Sequence, residues 1–155
     1  YVCTYKGLNS RLDEIQAALL RVKLKRVDED NRHRNSIAEF YCNNIINPEI
    51  NLPVDTHFFS QYIDGNARLS HVWHLFVIRH PKRNQLQEYL REHGIQTLIH
   101  YPIPPHKQLA YKEWNEISLP VAERIHNEVL SLPISPVMTN EEVNEVVQVI
   151  NKAVF

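Results

Sequence analysis

Histidine is the residue type with the widest chemical range in this chain: nine occur among 155 residues, alongside two cysteines, Cys3 and Cys42. The nearest histidine pair, His71 and His74, lies in a segment that reads as a strand, where positions three apart point to opposite faces. One ion cannot take both without a bulge, and no cysteine or carboxylate stands at ligand spacing, so no metal site is expected. His74 reads instead as a hydrogen-bonded histidine beside the core. No Gly-x-Ser-x-Gly elbow is present and neither cysteine has an activating context, which argues against a hydrolase triad. The three glycines, Gly7, Gly65 and Gly94, are isolated and cannot build a phosphate-cradling loop.

Two segments carry more. In Gly7-Leu8-Asn9-Ser10-Arg11 a glycine, an amide and an arginine meet the start of a predicted helix, whose free N–H groups favour an anion such as phosphate. Simple capping by Asn9 or Ser10 explains the same residues and is the preferred reading of that segment in isolation. In His100-Tyr101-Pro102-Ile103-Pro104-Pro105-His106, a strand end runs into a proline-stiffened loop bearing two imidazoles and a phenol. Such loops commonly hold ligands, and a stiff connector with surface polar groups is an equal alternative.

The elements that must position these residues follow from spacing. Ser10 to Asn47 contains neither Gly nor Pro, and Leu12, Ile15, Leu19 and Val22, then Ile37, Phe40, Tyr41 and Ile45, repeat at the helical period. One long or once-bent helix from about Arg11 to Asn44 is predicted, opened by Ser10 with Asp13 three residues on. The charge run from Arg21 to Arg34 spreads its signs over several faces of that helix and reads as solvated surface. Val72, Leu75, Phe76, Val77 and Ile78 predict a strand ending before His80-Pro81, and a helix over 82–93 closes at Gly94 in a left-handed cap. Then come a strand at Ile95–His100, a helix near 107–113, another from Leu119 to Leu130 opened by Ser118, and an extended piece at Leu132–Ser135. Thr139 and Glu142 form a capping box for a last helix that buries Val143, Val146, Val147 and Ile150. The fold class is α/β: a long N-terminal helix, then a small sheet flanked by helices.

Charge and composition exclude other classes. Seventeen basic against 18 acidic residues give a net charge of -1, without the positive excess that phosphate backbones require, so nucleic acid is not an expected partner. No apolar run approaches the ~20 residues of a membrane span. The two cysteines read as reduced thiols, which points to the cytoplasm. The first residue is Tyr1 rather than methionine, so a longer or processed polypeptide is expected.

Three stretches taken together carry a specific likeness: Gly7–Ala18, His71–Arg79 and Gly94–Gln108, with Leu130-Ser-Leu-Pro-Ile-Ser135 in support. In order and spacing they closely resemble the C-terminal part of the DegT/DnrJ/EryC1/StrS family of pyridoxal-phosphate-dependent sugar-nucleotide aminotransferases. Within that family the chain looks most like enzymes that aminate a keto sugar on deoxythymidine diphosphate. The resemblance implies the small C-terminal domain of a fold-type-I enzyme, an amino group taken from glutamate, pyridoxal 5'-phosphate as cofactor and a homodimer. It implies residues 1–47 as an interdomain and dimer-contact segment and 48–155 as the small α/β domain. By matching position, Asn9 resembles the amide that reaches the cofactor phosphate of the neighbouring subunit, with Arg11 supporting that anion site. His100 and Tyr101 resemble residues lining the nucleotide-sugar cleft, and His106 is a further candidate in the same loop.

In family members the Schiff-base lysine, the acidic partner of the pyridine nitrogen and the stacked aromatic residue lie upstream of the stretch matched here. None of the seven lysines, Lys6, Lys23, Lys25, Lys82, Lys107, Lys112 and Lys152, lies in an apolar run that would lower an amine pKa, so no catalytic residue is expected in this chain. Two alternatives stand beside the aminotransferase: a non-catalytic nucleotide-sugar-binding or dimerisation module, and a family dehydratase with histidine in place of that lysine. Bare apolar stripes on the long helix would in addition drive self-association.

Overall fold

The computed structural model describes residues 1–8, 10, 12–55, 58 and 71–155. The stretch free of Gly and Pro forms two helices, α1 (Glu14–Leu24) and α2 (Val27–Asn44), separated at Lys25-Arg26. The predicted helix is therefore once bent, and it starts later than expected. Asp13, not Ser10, is the N-cap, its carboxylate accepting the Gln16 N–H at 2.7 Å. A charged oxygen at the positive end of a helix satisfies a free N–H and the dipole together. α1 buries no residue, whereas α2 buries Ile37, Ala38, Tyr41 and Cys42.

The sheet consists of β1 (Phe76–Arg79) and β2 (Val129–Leu132), antiparallel, with Phe76 opposite Leu132 and Arg79 opposite Val129. The strand expected from Val72 begins only at Phe76. Trp73 adopts a left-handed φ of +47°, which breaks extended backbone there and tucks its ring onto Phe76, centroids 5.6 Å apart. His71 and His74 precede the strand and are exposed, so His74 is not the core-side histidine expected. The strand predicted at Ile95–His100 is reduced to a single bridge, Leu98 to Ser131. β2 lies three residues before the extended piece expected at Leu132–Ser135, because Pro133 has no N–H with which to continue the ladder. Asn51 pairs with Arg79 on the other edge.

Two helices pack on this sheet, α3 (Arg83–Glu92) and α4 (Pro120–Glu128), while α5 (Asn140–Lys152) packs against α2. α3 ends as its sequence predicts. Gly94 takes φ +81°, and the Ile95 N–H reaches back to the Leu90 carbonyl at 2.8 Å, which needs the left-handed turn that glycine adopts without a Cβ penalty. α4 starts at Pro120, and no Ser118 cap is made; the Glu123 carboxylate accepts the Leu119 N–H at 3.0 Å instead. The helix expected near 107–113 is two 3-10 pieces, Pro105–Lys107 and Leu109–Trp114, split by extended backbone at Gln108. The Thr139–Glu142 capping box of α5 is present in both directions.

One hydrophobic cluster runs from Ile37 to Ala153, and Tyr41, Phe76, Ile78, Leu86, Leu90, Leu130 and Ile150 are its largest fully enclosed apolar side chains. The Tyr41 hydroxyl donates to the Pro133 carbonyl at 2.8 Å, which satisfies a phenol inside the core. Asn47 and Asn151 lace the exit of α2 to α5. Asn47 donates to the Ile150 and Ala153 carbonyls at 2.9 and 2.8 Å, while Asn151 accepts the Ile46 N–H and donates to the Asn44 carbonyl.

Candidate functional site

The bridge between Leu98 and Ser131 brings His100 to the edge of the sheet. Its Nδ1 lies 2.9 Å from the Ser131 hydroxyl, which fixes the ring and leaves Nε2 without a protein partner among the described residues. Tyr101 follows through a cis peptide and is 52% exposed. Its carbonyl accepts from His126 Nδ1 at 2.6 Å, and its ring packs edge-on to His100 and to Tyr1, with centroids 5.5 and 5.2 Å away. An imidazole and a phenol are thus presented together, one anchored from behind and the other open to solvent. Such a pair can donate hydrogen bonds to phosphate or hydroxyl oxygens.

His106 is placed differently. It is buried, and its Nε2 lies 2.9 Å from Glu123 Oε1, so the imidazole ties the loop to α4. Glu123 is held below the usual glutamate range, first by the Leu119 N–H and then by His106. Gln108 is also buried, and its amide bonds to both the loop and the first residues of the chain. Neither Ser131 nor Glu123 was singled out from sequence, because both act through partners 17 to 31 residues away, and no periodicity encodes such a pairing.

Asn9 and Arg11, the expected cofactor residues, lie outside the described residues. All seven lysines are exposed, so none offers the desolvated amine that pyridoxal phosphate chemistry needs. The described residues therefore offer no attachment point for that cofactor on their own. Cys3 and Cys42 are both free, and burial together with the Asp55 charge pushes the Cys42 thiol up to about 11, which keeps it protonated at neutral pH. No group of metal-binding side chains occurs among the described residues. No described helix is long and apolar enough to cross a membrane.

A hollow of about 180 Å³ beside His74, Leu98, His100 and Ser131 is smaller than the roughly 300–1,000 Å³ of a complete small-molecule pocket. Larger hollows, about 450 and 580 Å³, lie against α5 and α3 and hold none of His100, Tyr101 and His106. The site as built is one wall, open on its other side.

The sequence profile of the DegT/DnrJ/EryC1/StrS aminotransferase family matches residues 1–151. The chain belongs to this family. Among DegT/DnrJ/EryC1/StrS relatives, it is 55% identical over 152 residues to the dTDP-3-amino-3,6-dideoxy-alpha-D-galactopyranose transaminase of Aneurinibacillus thermoaerophilus. That match covers 98% of this chain and 39% of the relative, so the chain spans about two fifths of the length of that enzyme. The fold superposes on part of DesV from S. venezuelae with a TM-score of 0.78 at 39% identity, covering 95% of this chain and 38% of DesV. It also superposes on NtdA of Bacillus subtilis, whose structure has the cofactor PMP bound, with a TM-score of 0.74 at 30% identity, covering 93% of this chain and 33% of NtdA. The chain is therefore a portion of a sugar aminotransferase fold, mostly helical around a two-stranded sheet.

Proposed function

We propose that this chain is the C-terminal portion of a pyridoxal-phosphate-dependent aminotransferase that moves an amino group from glutamate to a dTDP-linked keto sugar, for deoxyamino-sugar or surface-polysaccharide synthesis in the cytoplasm. The observation that carries this reading is the match along nearly the whole chain to a dTDP-amino-sugar transaminase. The open wall formed by His100 and Tyr101 supports it, since half a cleft is what a portion of such an enzyme contributes. In this reading His100 Nε2 and the Tyr101 phenol face the nucleotide sugar, and His106 stiffens the loop that carries them. Asn9 and Arg11 hold the cofactor phosphate of the neighbouring subunit in a homodimer. Residues 1–47 form the contact segment and 48–155 the small domain. The lysine that carries the cofactor lies outside these 155 residues, and the chain alone is inert.

Translating the coding sequence together with whatever precedes Tyr1 tests this directly. The longer polypeptide should convert a dTDP-linked keto sugar and glutamate to an amino sugar and 2-oxoglutarate, whereas the 155-residue chain should not. After pyridoxal phosphate and borohydride, the 155-residue chain should carry no stoichiometric pyridoxyl group on any lysine. Labelling of one lysine in full would overturn the reading.

A further inference from the structure

Residues 1–6 run along the loop and 3-10 pieces between 103 and 114, although more than a hundred positions separate them in sequence. Gln108 makes most of the connection at the loop end. Its Oε1 accepts the Cys3 N–H at 2.9 Å, while its Nε2 donates to the Tyr1 carbonyl at 3.2 Å and to the Ile103 carbonyl at 3.2 Å. One N–H and two carbonyls leave only one orientation of the amide, because oxygen must meet the N–H and nitrogen must meet the carbonyls. Gln108 itself is buried, and the three bonds lie half-buried between the loop and the exposed first residues. A fourth bond, from the Ala110 N–H to the Cys3 carbonyl at 2.9 Å, and the Lys6–Glu113 ion pair continue the attachment farther along. The result is that the Tyr1 ring stands 5.2 Å from Tyr101 and 6.2 Å from His100.

We propose that Gln108 is a positioning residue of the cleft: it straps Tyr1–Cys3 to the 100–108 loop and thereby adds the Tyr1 ring to the wall formed by His100 and Tyr101. The strap stands on the geometry above, and its role in holding a nucleotide sugar rests on the function just proposed. Apolar substitution at this position removes three half-buried bonds while leaving the core untouched, since Gln108 is not part of the hydrophobic cluster.

Hydrogen–deuterium exchange on the 155-residue chain reads the strap. Gln108→Met should raise exchange in peptides covering 1–6 and 100–108 by up to about tenfold, as loss of the three Gln108 hydrogen bonds predicts, with α3 and α5 unchanged. Unchanged protection at 1–6, or equal loss of protection in α3 and α5, would overturn the proposal, the second outcome marking a general loss of stability. In the longer polypeptide, Gln108→Met and Tyr1→Ala should each raise KM for the nucleotide sugar several-fold while leaving KM for glutamate unchanged. The double variant should add little to either single one, because both remove the same ring from the wall. Additive effects, or a matching rise for glutamate, would count against the wall. If the longer polypeptide transaminates no sugar at all, the proposed function fails, while the exchange result still decides the strap.

Discussion

α1 and the second half of α2 carry the same apolar rhythm and meet opposite fates. Ile15, Leu19 and Val22 are 77%, 67% and 68% exposed, whereas Ile37 and Tyr41 are 4% and 0% exposed. Period alone tells which face of a helix is apolar; a surface to cover it must come from elsewhere in the assembly. α2 finds that surface in α5 and β1, with Tyr41 edge-on to Phe76 at 5.1 Å. α1 has no counterpart among the described residues.

The contrast can be broken at its buried end first. Phe76→Ala empties the centre of the cluster and should destabilise the chain by about 3–5 kcal/mol in urea titration. Next in size, His106→Ala empties a buried position and removes the half-buried link to Glu123, and should lower stability measurably at neutral pH in the same titration. Glu123 has a folded pKa below its unfolded value, so its contribution is present above the usual glutamate range and lost as pH falls through the folded value. The gap between wild type and His106→Ala should therefore narrow in acid. Thr139→Ala, which opens the capping box of α5, should lower stability by about 1 kcal/mol. The smallest effect belongs to the bare helix. Leu19→Glu should change stability by less than about 0.5 kcal/mol, yet shift sedimentation of the 155-residue chain toward monomer. A large stability loss at Leu19 would mean that α1 is covered after all.

What the sequence made legible was local. The Thr139–Glu142 box and the Gly94 cap depend on residues within a few positions of each other, and both are present. Where two local candidates competed, spacing did not rank them: Asp13 caps α1 rather than Ser10, and Glu123 reaches Leu119 where Ser118 was expected. Strand extents were overread for a different reason. The turn at Trp73, Pro133, and the lack of a full partner for Leu98 are set by what lies opposite, not by β propensity. The site shows the same division. A rigid loop bearing His100 and Tyr101 could be picked out from its prolines, but not that Ser131 would hold one imidazole and Glu123 bury the other. Gln108 closes contacts with residues 1 and 3, a separation at which no sequence pattern speaks.

The asparagine lacing between α2 and α5 has a consequence for biosynthesis. Val143, Val146, Val147, Ile150 and Ala153 all belong to the central cluster, and Asn47 donates to the Ile150 and Ala153 carbonyls. During translation, then, the described cluster residues between Ile37 and Leu132 emerge with one wall of their interior absent, and stay open until α5 clears the ribosome. Chaperones that grip nascent apolar segments have that interval in which to act, and a premature stop before Asn140 would leave them holding a chain unable to close.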